Sequence, residues 1–457
     1  MGKDRPSSAW LEVLAVAAIL LLAAVLRMGW PGITEFKADE ARLLSLALEM
    51  RQGAFAVRGI SSSTGFPNFP MSVWLYAIPT FVWPHAYSAT LFTGLLNTLA
   101  VAGCYWMVRR YWSVSAALAA TLMLAVSPWA IIFSRKIWAQ NLLPLFVMIW
   151  GISAALAFVE KKRWFLVIHI VCLAVAIQIH LAAVALAPAT LLFIIVFHRR
   201  VDWRMVGVGV GLSLLLAAPF LYYLVSHVDA GTALPTGSGG EAGSGFSTHA
   251  LRYVSMLTLG NDIHSLAGPA QFENYLAQLP PMQPVYALWA VLVLGGIVWM
   301  VSGIIRRREA VQSQVGFILL AWLFVPVLVF LWEWTPVYLH YFIATLPAQY
   351  MLAGVFFAGL LDRFGGWVRG IAWAALLASA AFQVYASLTL LSLVGTVATP
   401  GGFGTPLAVK LAAADLAREE IAAGAAEVLV AGVGSSPAWI HFRPSLMRCC
   451  MTFHAAS

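Results

Sequence analysis

Asp39 and Glu40 stand side by side in Phe36-Lys37-Ala38-Asp39-Glu40-Ala41-Arg42, about ten residues beyond the first long apolar stretch, with Arg42 one helical turn on. The chain has only 19 Asp and Glu in 457 residues. Two adjacent carboxylates just outside a bilayer therefore mark a place for acid/base work on a lipid-linked substrate. The plainer role for the same residues is local: Asp39 as the cap of a short helix, Arg42 as its ion-pair partner three residues on. Further groups fall at the expected outer membrane boundary, namely Arg135 and Lys136, then His180, then His340 and Tyr341. Arg and Lys bind phosphate oxygens, and His and Tyr add hydrogen bonds to a departing phosphate. Singly, each is explained as a snorkelling or anchoring side chain; their convergence on one face favours a site.

These residues must be held by membrane helices. With 61% hydrophobic and 10% charged residues and a mean hydropathy of +0.85, the composition excludes a soluble domain of this length. The formal net charge of +8 comes largely from short Lys/Arg clusters between apolar stretches, a topology signal rather than a nucleic-acid footprint. The run 9–28 is long enough to cross roughly 30 Å of hydrocarbon and has no small-residue cleavage site, so it reads as a retained first helix. Further spans are expected over 87–108, 114–133, 142–159, 164–180, 182–198, 205–226, 285–304, 315–332, 341–360 and 370–393, about eleven in all.

The apolar segment 70–84 is too short to cross and contains Pro79. Laying it on the outer surface puts Lys3, Arg5, Arg109, Arg110, Lys161, Lys162, Arg163, Arg199, Arg200, the Arg306 to Arg308 cluster and Arg363 on one side, the cytoplasmic one. The N-terminus is then inside and the C-terminus outside. Both long loops, 29–86 and 227–284, are external, which is where function is expected. The first reads as interfacial helices, with Asp39 in the opening turn of one over 39–52. The second holds the glycine-rich stretch Thr236 to Gly245 and the pair Asp262 and His264, a weak metal signature. Cys104 and Cys172 lie inside apolar spans and Cys449 and Cys450 are adjacent, so no disulfide framework is expected.

Asp39-Glu40-Ala41-Arg42 followed by Glu49-Met50 resembles the signature after the first helix of the lipid A aminoarabinose transferases and protein O-mannosyltransferases, polytopic glycosyltransferases of the GT-C fold. The similarity runs on through Gly65-Phe66-Pro67-Asn68-Phe69-Pro70, Ser127-Pro128-Trp129, Phe133-Ser134-Arg135, and Pro336-Val337-Tyr338-Leu339-His340-Tyr341 to Pro347. The resemblance implies an inverting transfer of a monosaccharide from a polyprenyl-phosphate carrier to an acceptor on the outer face of a prokaryotic plasma membrane, with Asp39 as general base. The sequence departs from the pattern in two places. Gln140 and Asn141 stand where relatives often have an aspartate; they can hydrogen-bond a sugar but are poor metal ligands. The lysine of the aminoarabinose transferases is absent from 65–70, which argues against that sugar.

The expected architecture is thus an all-α polytopic membrane protein, GT-C-like, over 1–394, with a short external α/β segment at 395–457 in which the sequence is expected to break off. Asp39 and Glu40 are the catalytic candidates. Arg42, Arg135, Lys136, Gln140, Asn141, His180, His340 and Tyr341 are the candidates for substrate binding. No metal ligands are assigned, although a divalent cation stays open. The expected partners are a polyprenyl-phosphate-linked sugar, membrane lipids and an acceptor lipid, glycan or protein, with no nucleic acid. The rival class is a lipid or solute transporter, but transporters carry midplane charges and inverted repeats, and neither is seen.

Overall fold

In the computed structural model, the described residues are 6–61, 67–227, 245–333, 336–425, 428–431 and 439–442. Gly65, Phe66, nearly all of the glycine-rich stretch, Gly432 to Gly434 and the cysteine pair lie outside them. Helix dominates. In chain order the helices are α1 (Pro6–Met28), α2 (Ala38–Arg51), α3 (Met71–Val82), α4 (Ala86–Tyr111), α5 (Val114–Val126), α6 (Pro128–Ser134), α7 (Leu143–Ala154), α8 (Trp164–Ile179) and α9 (Ala187–Val196). They continue as α10 (Trp203–His227), α11 (His249–Leu259), α12 (Phe272–Ala277), α13 (Gln283–Arg306), α14 (Val311–Val329), α15 (Leu346–Arg363), α16 (Trp367–Thr396) and α17 (Leu407–Ala422).

Each of the apolar stretches expected to cross is helical. Among the described residues, 8 helices are long and apolar enough to span, and α5 with α6 makes a ninth that is bent by 59°. The segments Trp164–Ile179 and Leu181–Val196 are apolar but shorter. The α5–α6 bend follows from Ser127-Pro128: a residue before proline is driven out of the α region, and Ser127 is indeed extended (φ −60°, ψ 120°). Pro128 then starts α6 at its first turn, where its missing N–H costs nothing. The segment 70–84, expected on the surface, is the separate short helix α3, with Pro79 inside it.

The bundle is built around α15, whose faces are nearly all buried, whereas α1 and α10 present most of their apolar side chains outward, as lipid-facing helices do. Small residues let the central helices close up. A Cβ on Gly354 of α15 would lie 2.5 Å from the Ala116 carbonyl oxygen and 2.7 Å from Ala120 Cβ of α5. Two arginines close the ends of α1 and α5 without a carboxylate partner among the described residues. Arg27, 1% exposed, donates to the carbonyls of Leu124 (2.9 Å) and Ala125 (2.7 Å), which are left open where α5 stops at Pro128. Arg135, 2% exposed, donates to Leu26 (2.8 Å) at the end of α1 and to Trp30 (2.8 Å) and Ile33 (3.3 Å) in the loop after it.

Three helices, α7, α9 and α15, begin alike. Each follows a tight 3-10 turn, over Ala139–Leu142, Leu181–Leu186 and Leu339–Thr345 respectively, and each has a proline in its first turn. The turn before α15 packs against the other two. Strands are few: β1 (Gly245–Phe246) pairs with β2 (Trp332–Glu333), and β3 (Val428–Ala431) with β4 (Trp439–Phe442), both antiparallel. The helix α17 and the strands β3 and β4 fall in the segment 395–457 expected to be α/β. Replacing Gly354 by Val should destabilise the bundle by about 1–3 kcal/mol through overpacking of α5 against α15, read as a lowered unfolding midpoint of the purified protein in detergent.

Candidate active site

The loop after α1 enters α2 through Lys37, which occupies the N-cap position, so Asp39 is not the cap. Glu40 sits at the third helical position and its Oε2 accepts the Lys37 backbone N–H at 2.7 Å, one half of a capping box. Helical spacing then turns Glu40 inward, where it is 1% exposed, and turns Asp39 and Arg42 outward. Asp39 and Arg42 are both exposed, and neither makes a side-chain hydrogen bond or ion pair among the described residues. The local pairing that would have explained them is not formed.

Behind Asp39 lies a buried ion cluster. Lys136 Nζ sits between Glu40 Oε1 at 2.8 Å and Glu35 Oε2 at 2.9 Å, and Glu35 also meets the ammonium of Lys37. Lys136 is 8% exposed. Burial works against its charge, but the two carboxylates outweigh that and hold its pKa above the ordinary lysine value. Glu35 was missed by sequence reasoning, which weighed only the adjacent acids; its position in the same short loop was the available signal.

Backbone bonds from three directions fix the segment carrying Lys136. Thr34 Oγ donates to the Arg135 carbonyl. Asn141 Nδ2 donates to the Lys136 carbonyl at 3.0 Å, and Asn97 Nδ2 of α4 donates to the Asn141 carbonyl at 2.8 Å. The hydroxyl of Tyr76, on α3, accepts the Trp138 N–H at 3.1 Å and donates to the Trp138 carbonyl at 3.2 Å. The short helix α3 thus anchors the turn that follows Lys136.

Trp138 carries the cluster on to the other candidates. Lys136 Nζ lies 4.0 Å from the centre of its indole, and the His340 ring is 4.7 Å away. His340 meets His180 at 5.5 Å, and His180 meets Tyr341 at 5.5 Å. His180 Nδ1 accepts the Ala182 N–H at 3.3 Å, so the neutral ring carries its proton on Nε2, where it can be donated. Lys136, His180, His340 and Tyr341 are therefore brought together at the three proline-started helices. Arg135 stands apart, its terminal nitrogens given to backbone carbonyls; burial lowers its pKa to about 10, so it stays charged at neutral pH. Gln140 and Asn141 are buried beside the cluster, and Asn141 acts on the backbone rather than on open space.

No group of three or more metal-ligating side chains occurs among the described residues. Asp262 and His264 bind each other, His264 Nε2 lying 3.2 Å from Asp262 Oδ1. They line a separate cleft of about 860 Å³ together with Arg252 and Tyr286. Lys136→Met should cost about 3–5 kcal/mol by leaving Glu40 buried without a cation. Adding Glu40→Gln should recover at least about 1 kcal/mol of that loss. Unfolding midpoints of the two single variants and the double variant check both statements.

Comparison with known proteins bears on the fold. The family model described as dolichyl-phosphate-mannose-protein mannosyltransferase matches residues 67–223. No curated protein sequence matches the chain. Among solved structures, ArnT from Cupriavidus metallidurans bound to undecaprenyl phosphate is similar at a TM-score of 0.58 with 18% identity, over 94% of this chain and 83% of that one. Its apo form gives 0.57 and 17%, over 86% and 77%. The apo oligosaccharyltransferase of Archaeoglobus fulgidus gives 0.51 and 13%, over 85% of this chain and 57% of that one. A bundle of apolar helices matched over most of its length by these structures makes the chain a polytopic membrane protein of the GT-C glycosyltransferase fold.

Proposed function

We propose that the protein transfers a monosaccharide from a polyprenyl-phosphate carrier to an acceptor hydroxyl on the outer face of the membrane, with inversion and with Asp39 as general base. The observation that carries this reading is the state of Asp39. It is exposed and unpaired at the opening of α2, whereas its neighbours Glu35 and Glu40 are both engaged by Lys136. The match to the mannosyltransferase family model and the likeness to ArnT bound to undecaprenyl phosphate support a phosphate-linked carrier.

The chemistry needs little else from the protein. Asp39 takes the proton of the acceptor hydroxyl as the oxygen attacks the anomeric carbon from the face opposite the phosphate. The bond from the anomeric carbon to the phosphate oxygen breaks, and the electron pair leaves with the polyprenyl phosphate. That leaving group is already an anion, so no second carboxylate is required to protonate it, in contrast to glycosidases. Arg42 is available to an incoming anion, and the Nε2 proton of His180 with the Tyr341 hydroxyl supplies neutral donors. In this reading Glu40 is a positioning residue, holding the start of α2 through Lys37 and Lys136. A plasma-membrane location, with the N-terminus inside, belongs to the same proposal and rests on the distribution of Lys and Arg between the spans.

The test is transfer of labelled sugar from a panel of synthetic polyprenyl-phosphate sugars by the purified protein, wild type against Asp39→Asn. The variant should lose about 10²–10⁴-fold in kcat while donor binding persists. Equal rates would overturn Asp39 as base. Failure of every donor to bind would overturn the glycosyltransferase reading and direct the work to transport in liposomes.

A further inference from the structure

The segment after the last span reaches back to the loop that carries Asp39. Residues 399–410 follow α16, turn through Gly401 and Gly404, and enter α17 beside residues 32–37. Three alternate carbonyls of that loop point at them. The Gly32 carbonyl accepts the Ala408 N–H at 3.0 Å, the Thr34 carbonyl accepts the Leu407 N–H at 3.0 Å, and the Phe36 carbonyl accepts from Lys410 Nζ. Glu35 pairs with Pro406 as a short antiparallel bridge, so the loop behaves as the edge of a strand along 32–36. Leu407 and Ala408 are the first two residues of α17, and their N–H groups have no partner inside a helix. The loop satisfies them. Lys37 Nζ completes the contact by donating to the Gly402 carbonyl at 3.2 Å.

Two further details show how tightly this contact is made. A Cβ on Gly32 would come within 2.8 Å of Ala408 Cβ, so the backbones meet where only glycine leaves room. Lys410 is half-buried; burial lowers its pKa and Lys37 adds to that, against the attraction of Glu40 and Glu35. On the opposite side of the loop, the Ile33 carbonyl accepts from Arg135. The segment leading into Asp39 is thus gripped from one side by the end of α6 and from the other by the start of α17.

We propose that the chain beyond the last membrane span belongs to the active centre, with Lys410 as a positioning residue that fixes residues 32–37 and through them the place of Asp39. This rests on the reading of Asp39 as base. Lys410 lies 374 residues from Phe36 in sequence and touches no reacting atom in this scheme. Its effect belongs to orientation: a displacement of about 1 Å at a catalytic group costs on the order of 100-fold in rate.

The experiment compares Lys410→Met and Lys410→Arg in the full-length protein, in the wild-type and Asp39→Asn backgrounds. A second variant, Leu407→Pro, removes the N–H given to Thr34 at a position where a helix tolerates proline, and trims the buried Leu407 side chain as well. Lys410→Met should lower kcat by about 10-fold or more with donor KM changed less than about 3-fold, and Lys410→Arg should restore most of it. In the Asp39→Asn background, Lys410→Met should cost nothing further. Amide hydrogen exchange over residues 33–42 should speed up in Lys410→Met and in Leu407→Pro. Losses that are equal in both backgrounds, or an unchanged kcat, would overturn the proposal. If the wild type transfers no sugar at all, the glycosyltransferase reading fails. The grip is then judged by exchange, and unchanged exchange in both variants overturns it.

Discussion

The buried ammonium of Lys136 is the constraint around which the outer face is organised. An isolated charge taken out of water at that depth is unfavourable by several kcal/mol, so it must be surrounded by partners with good geometry. Those partners are Glu35 and Glu40, one in the loop after α1 and one in the first turn of α2. Satisfying Lys136 therefore ties the end of α6 to the beginning of α2, and it determines which acid of the Asp39-Glu40 pair faces inward. Asp39 is left outward because helical geometry gives neighbouring residues faces about 100° apart. The exposed carboxylate of Asp39 and the buried cation are two consequences of one arrangement.

The other buried cations are handled differently. Arg27 and Arg135 have no carboxylate partners among the described residues; each instead fills the open carbonyls at the end of a helix, where the backbone dipoles present partial negative charge. The exchange is reciprocal, since Arg27 leaves α1 to close α5, and Arg135 follows α6 and closes α1. This locks the α5–α6 bend against α1 and sets the height of the loop that follows. Arginine suits this role because its planar fork reaches several carbonyls at once, as a lysine could not.

The helical architecture was legible in the sequence because hydrophobic length is a strong signal and each apolar stretch forms a helix. The short surface helix at 71–82 was readable from its length and its proline. The bend at Ser127-Pro128 is a local effect of proline, yet the continuous apolar run 114–133 conceals it. The site was legible only in part. Lys136, His180, His340 and Tyr341 converge as their places at the ends of spans suggested, but nothing local distinguishes Lys136, turned to the acids, from Arg135, turned to carbonyls. One residue of helix phase separates them. Trp138 and Tyr76 carry no polar signature, and Lys410 meets the loop only because α16 returns the chain to the same face, a long-range contact without a local trace.

The charged groups around the start of α2 and at the neighbouring helix ends differ in what already satisfies them. Arg27 and Arg135 serve helix ends; Lys136 is held by Glu35 and Glu40; Lys410 is held by the Phe36 carbonyl. Glu12 and Glu160 answer Arg109 and Arg110, the cationic pair that closes α4. After these pairings, Asp39 and Arg42 remain on the opening turns of α2, one helical turn apart, opposite in sign and both exposed. A bare acid and a bare base so close together would ordinarily pair on a helix surface, for a gain of a few tenths of a kcal/mol. Their separation keeps a carboxylate and an anion-binding guanidinium open on the same face. In the proposed transfer these are the two groups that take the hydroxyl proton and meet the phosphate.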